Sequence, residues 1–137
     1  MRTKILLFLA SVLIMAIPAY AKREPGSKVG AEFPELVFDF GTVNTKSGPV
    51  HHVFNMKNVG TSPIAIVSAV SGCGCTRPEF GKKPVMPGQT GTIKVTFLPE
   101  GQRGEISKVV KLRLRNSEGR SEQVSLRLQG VVVPQSK

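Results

Sequence analysis

The sequence predicts an all-β protein, an antiparallel β-sandwich of six or seven short strands. Three observations predict it. Apolar and polar residues alternate with period two in most segments after residue 34. Clusters rich in Gly and Pro interrupt that alternation at roughly ten-residue intervals. No stretch beyond residue 21 carries a convincing helical repeat of apolar residues.

The first residues read as an export signal. Arg2 and Lys4 precede an uncharged apolar run from Ile5 to Ile17, and Ala19 and Ala21 occupy the small-residue positions of a signal-peptidase site. The run is too short to span a bilayer as a helix, which needs about 20 residues. The expected product begins at Lys22, is periplasmic or extracellular, carries no transmembrane segment and sits where disulfides persist. Removing residues 1–21 from the 137 leaves 116, enough for one domain with a conventional core. The full chain has a formal charge of +10, and loss of Arg2 and Lys4 leaves +8. That balance favours solubility and attraction to polyanions and says nothing about fold.

In chain order, residues 22–34 contain Pro25, Gly26, Ser27 and Gly30 with little apolar content and are expected to be a flexible lead-in. The domain is expected over residues 35–134, with 135–137 as a tail. Its first strand is Glu35 to Gly41, with Leu36, Phe38 and Phe40 on the inner face and Asp39 outside. Gly48-Pro49 precedes a second strand, Val50 to Lys57, which turns Phe54 and Met56 inward. A turn cluster at Asn58 to Pro63 leads to Ile64–Val70, an almost unbroken apolar run expected to be covered on both faces. Arg77 to Gly91 is punctuated by prolines and glycines and reads as irregular connection with room for a short edge strand. Thr92 to Leu98 alternates cleanly, with Ile93, Val95 and Phe97 inward.

The last two strands allow a register to be derived. Val110, Leu112 and Leu114 point in from the first, and Val124, Leu126 and Leu128 from the second. A three-residue loop, Ser117-Glu118-Gly119, with Gly119 in the left-handed region, puts Leu112 opposite Val124 and Val110 opposite Leu126. Outside, Arg113 then faces Gln123 and Lys111 faces Ser125, so like charges avoid direct opposition.

The candidate chemistry centres on Cys73 and Cys75, the only cysteines. In an extended segment the Cα atoms of residues i and i+2 are about 6.6–7 Å apart, whereas a disulfide prefers roughly 5.5–6 Å. Gly72 and Gly74 let the backbone leave the extended form and close that gap. Such a short loop would stabilise the fold by only about 1.6 kcal/mol in the chain-entropy model. The plain reading is two small side chains at a strand end, paired or free. The alternatives are a redox-responsive disulfide, a Cu(I) or shared Zn(II) site on two thiolates, and pairing with another chain. No second cysteine pair completes a four-thiolate zinc site.

Other constellations are weaker. His51 and His52 are neighbours on a strand and point to opposite faces, so they do not easily chelate one metal; either would complete a Cys2His site only if the fold carried it to the cysteines. No nucleophile elbow, phosphate loop or zinc-protease motif is present, and an enzyme is not expected. Lys111, Arg113, Arg115 and Arg127 form an outward basic patch, read either as a solvated sheet face or as a docking surface for an anionic surface such as a polysaccharide, lipid headgroup or acidic protein. After residue 21 the chain has neither Tyr nor Trp, which argues against base-stacking nucleic-acid recognition.

Phe38-Asp39-Phe40-Gly41-Thr42-Val43, Phe54 with Asn58-Val59-Gly60, Ser71-Gly72-Cys73-Gly74-Cys75-Thr76, Pro87-Gly88-Gln89-Thr90-Gly91 and Ile93-Lys94-Val95-Thr96-Phe97 together resemble a bacterial exported family, domain of unknown function 1573 (DUF1573). The resemblance runs from about Leu36 to Val132. It implies a seven-stranded immunoglobulin-like sandwich of the ASPM/SPD-2/Hydin (ASH) and major-sperm-protein type, and brings no catalytic residues with it. The missing Trp and the cysteine spacing exclude the antibody subtype. The expected function is a non-enzymatic module for protein binding or envelope structure, with exposed edge strands and surface loops as its contact elements, no cofactor, and an envelope or extracellular protein as partner. The alternative is a thiol-based redox-responsive or Cu(I)-binding protein.

Overall fold

The computed structural model describes residues 27–136, so the expected signal segment and residues 22–26 lie outside the described residues. Eight strands follow in order: β1 (Ala31–Glu32), β2 (Val37–Asn44), β3 (Val50–Asn58), β4 (Ile64–Ser71), β5 (Thr76–Phe80), β6 (Thr90–Phe97), β7 (Gly104–Asn116) and β8 (Ser121–Val133). They form two four-stranded sheets, ordered β1-β3-β6-β5 and β2-β8-β7-β4. The expected all-β sandwich is what the chain forms.

The inner faces follow the alternation. Phe54 and Met56 from β3, Ile93, Val95 and Phe97 from β6, Val110, Leu112 and Leu114 from β7, and Leu126 and Leu128 from β8 are all fully buried. Each such side chain contributes roughly 1.5–3 kcal/mol relative to exposure, so these ten dominate the stability. The β7–β8 hairpin has the derived register: Leu112 pairs with Val124, Val110 with Leu126, Arg113 with Gln123 and Lys111 with Ser125. Gly119 has φ +85°, the left-handed conformation that the turn demands.

Four details differ from the sequence expectations. Residues 27–34 are not a free lead-in: Val29 and Ala31 are buried in the core and β1 pairs with the end of β3. The strand read from Glu35 begins at Val37, and Leu36, whose carbonyl accepts from Arg127 N at 2.8 Å, stands 45% exposed and not on the inner face. β2 joins β8 in parallel, the one parallel pairing among the described strands, with a register shift between Asp39 and Thr42. Finally, β4 is not covered on both faces. It is a sheet edge, and Val67 and Val70 are 51% and 60% exposed.

Candidate functional site

Gly72 and Gly74 turn the chain from β4 of one sheet to β5 of the other, and the cysteines sit in that turn. Cys73 and Cys75 are joined as a disulfide with their Cα atoms 5.2 Å apart, inside the distance of an extended pair. The backbone folds around the bridge: Thr76 N donates to Cys73 O at 3.1 Å, and Leu98 N donates to Cys75 O at 2.8 Å. Cys73 N donates to Ser71 Oγ at 3.4 Å. Both cysteines are half-buried. Cys75 also lines a cavity of about 600 Å³ at this end of the sandwich, with Thr45, Pro49, Leu98, Pro99 and Glu100. In the bonded form neither sulfur is a thiolate, so a soft metal finds two thiolate ligands here only after reduction.

The histidines do not complete a metal site. Among the described residues no three His, Cys, Asp or Glu side chains are grouped to hold an ion. His51 lies outside, with Nδ1 2.9 Å from Thr96 Oγ1. His52 points inward at the sandwich margin, stacks on Phe38 with ring centres 3.7 Å apart, and meets Glu35 through Nε2 at 2.8 Å. Its ring closes the seam between β2 and β3.

The basic residues occupy the outer face of the sheet β2-β8-β7-β4. Lys111, Arg113 and Arg115 stand in one row on β7, all exposed. Arg127, exposed on β8, pairs across to Val109 and Val37. It also shares a shallow hollow with Asp39 and Glu105. The ion pairs among the described residues are His52–Glu35 and Arg120–Glu118, so none of the four cations takes part in one.

Sequence reasoning expects contact at an exposed edge strand but misses that β4, beside this row, is such an edge. β4 pairs with β7 on one side, placing Ala65, Ser68 and Val70 opposite Arg115, Arg113 and Lys111. On its other side, among the described residues, β4 is paired only at Ile64, which exchanges backbone bonds with Val85 at 2.9 and 2.7 Å. β5, the corresponding edge of the second sheet, carries Arg77, Pro78 and Glu79, residues that blunt an edge against further pairing. β4 reads Ile-Ala-Ile-Val-Ser-Ala-Val-Ser and has neither charge nor proline. Among the described residues its protection is the Val85 bridge at Ile64 and a bulge between Ile66 and Ser68. The uncharged run was the available signal, but alone it reads equally well as a covered strand.

This architecture, two four-stranded sheets with a parallel pairing of β2 to β8 and an open edge at β4, defines an immunoglobulin-like sandwich domain. The same fold appears in the ASH/PapD-like domain 7 of human CEP192, at TM-score 0.66 and 14% identity over 82% of this chain and 94% of that one. It appears also in the VesB protease of Vibrio cholerae, at TM-score 0.62 and 14% identity over 74% of this chain, where the match spans only 32% of the protease. The periplasmic chaperone SfaE matches at TM-score 0.55 and 10% identity, over 78% of this chain and 59% of the chaperone. At such identities the likeness shows the fold alone. No curated protein matches in sequence. The chain belongs to the family described as protein of unknown function (DUF1573), whose model matches residues 31–132.

Proposed function

We propose that this protein is an exported, non-enzymatic binding module whose contact element is the edge of β4. The observation that carries this reading is the contrast between the two neighbouring sheet edges. β5 is guarded by charge and proline, whereas β4 offers backbone donors and acceptors beside the exposed Val67 and Val70. An unguarded edge is a liability in a protein with no use for it, and a template for an extended partner segment in one that has. Export is supported by the charged, apolar and small-residue pattern of residues 1–21. Among the described residues no helix is long and apolar enough to cross a membrane.

The test is capture from envelope extract with the wild-type protein and with Val67→Lys, which places a charge on the edge. Loss of a captured protein in the variant, with folding intact, is the expected result. Identical capture by both proteins would remove β4 from the interface.

A second reading, thiol–disulfide exchange at Cys73–Cys75, is favoured by the half-exposure of the bridge beside its cavity. Alkylation followed by mass measurement, before and after a mild dithiol reductant, decides it. A bridge inert to that reductant in the folded state rules the reading out.

A further inference from the structure

We infer that the partner received by β4 is an acidic extended polypeptide segment, added as a fifth strand, with carboxylates on alternate residues facing Lys111, Arg113 and Arg115. The inference rests on the binding-module reading and names the chemistry of the ligand at the same edge.

Spacing carries the first half of the argument. Lys111, Arg113 and Arg115 lie at every second position of one strand, so they repeat at about 6.6–7 Å. Any strand hydrogen-bonded into this sheet projects its own alternate residues outward at the same repeat. A fifth strand beside β4 would lie two strand spacings, about 9.5 Å, from β7. The intervening outward residues are Ala65, Ser68 and Val70, each directly opposite one of the cations. All three are short. Long basic side chains can therefore lean across β4 toward carboxylates on the added strand, and such charged groups on neighbouring strands are the favourable cross-strand arrangement.

Charge carries the second half. Three like charges in a row repel one another, and a folded protein usually interleaves acidic residues to offset this. On β8, the strand on the other side of the row, the residues opposite are Gln123 and Ser125, with Ser121 opposite Arg115. The described ion pairs lie elsewhere. The row is thus short of counter-charge on both flanks, and one flank is the open edge. An anionic bilayer or polysaccharide would also be attracted to these cations, but would have no use for the backbone groups of β4. A strand-forming acidic peptide uses both.

Two labelled peptides of equal charge and composition provide the test, one alternating Glu and Val over eight residues and one with four Glu followed by four Val. Fluorescence anisotropy gives affinity, and amide hydrogen exchange on residues 65–71 reports pairing. The alternating peptide should bind more tightly and slow exchange along β4. Arg113→Glu should weaken it by about tenfold, Arg113→Gln by less, and binding should fall as salt rises. Equal binding of the two peptides, or binding without protection of β4, overturns the inference. So does preferential binding to phosphatidylserine vesicles with no affinity for the alternating peptide. If neutral extended peptides protect β4 while acidic ones gain nothing, the acidic partner is wrong and the module reading stands. If no extended peptide protects β4 and capture from extract is also unaffected by Val67→Lys, both fall.

Discussion

The ring of Phe40 packs so closely on Gly130 that a Cβ at that glycine would stand 2.3 Å from ring carbon Cε2. The contact lies at the register shift in the parallel β2–β8 pairing, where Asp39 pairs with Gln129 and Thr42 with Val131. Two residues of β2 there oppose one of β8. Phe40 is also stacked on Phe97, with ring centres 5.1 Å apart, so it has little freedom to retreat. Gly130→Ala should therefore destabilise the fold by roughly 1–3 kcal/mol, lowering the thermal midpoint by on the order of 10 °C. Combining it with Phe40→Leu should cost less than the sum of the two changes, since the second relieves the clash with the ring, though the contact at 2.6 Å with Gly41 O remains. Additive losses in the double variant would contradict the packing.

Asn58 is fully buried and satisfies three backbone groups. Its Nδ2 donates to Ser62 O and Val85 O at 2.8 and 2.9 Å, and its Oδ1 accepts from Gly60 N at 3.0 Å. Through Val85 it also supports the bridge that occupies the start of the β4 edge. Asn58→Leu removes the partner of Ser62 O and Gly60 N, while Val85 O keeps its bond from Ile64 N, and the expected loss is about 3 kcal/mol by denaturant titration. A loss under about 0.5 kcal/mol, the level of an ordinary surface change, would mean that the loop does not depend on it.

Val29 tests whether residues 27–32 belong to the sandwich. It is buried in the core, and the neighbouring Gly30, with φ +85°, lies so close to Gly60 that an added Cβ would be 2.8 Å from Gly60 Cα. Val29→Ala should cost about 2 kcal/mol, and Gly30→Ala should destabilise through both its conformation and its contact. Neutral substitutions at both positions would return this segment to the status of a loose lead-in.

The Cys73–Cys75 bridge closes too short a loop to hold the domain together. The double substitution Cys73→Ser with Cys75→Ser should cost no more than about 1.6 kcal/mol and leave the far-ultraviolet circular dichroism unchanged. Unfolding of the doubly substituted chain would show that the turn needs the covalent bond.

The parts of the fold that were legible in the sequence are those governed by strict alternation and a diagnostic turn. Leu112 opposite Val124 followed from inner-face parity and Gly119 alone. The parts that were not legible depend on where a strand sits in its sheet. An apolar run such as Ile64–Ser71 has the same composition whether its outer face is covered or open, and only the neighbour it lacks makes it an edge. Asn58 lay in a cluster of turn residues, and polarity there gives no hint that three buried backbone groups converge on it. Val29 and Ala31 were too sparse to show a period. For the candidate site, the outward row Lys111, Arg113 and Arg115 was visible from parity, but its position one strand inside an unguarded edge was not.

Site-specific photocrosslinking in the producing cell tests the binding account most directly, with a photoreactive amino acid placed singly at Val67 on β4 and at Glu79 on β5. The account predicts polypeptide adducts from position 67, lost when Arg113 is changed to Glu, and none from position 79. Adducts from position 79 with none from 67 would contradict it, as would adducts at 67 made only of lipid.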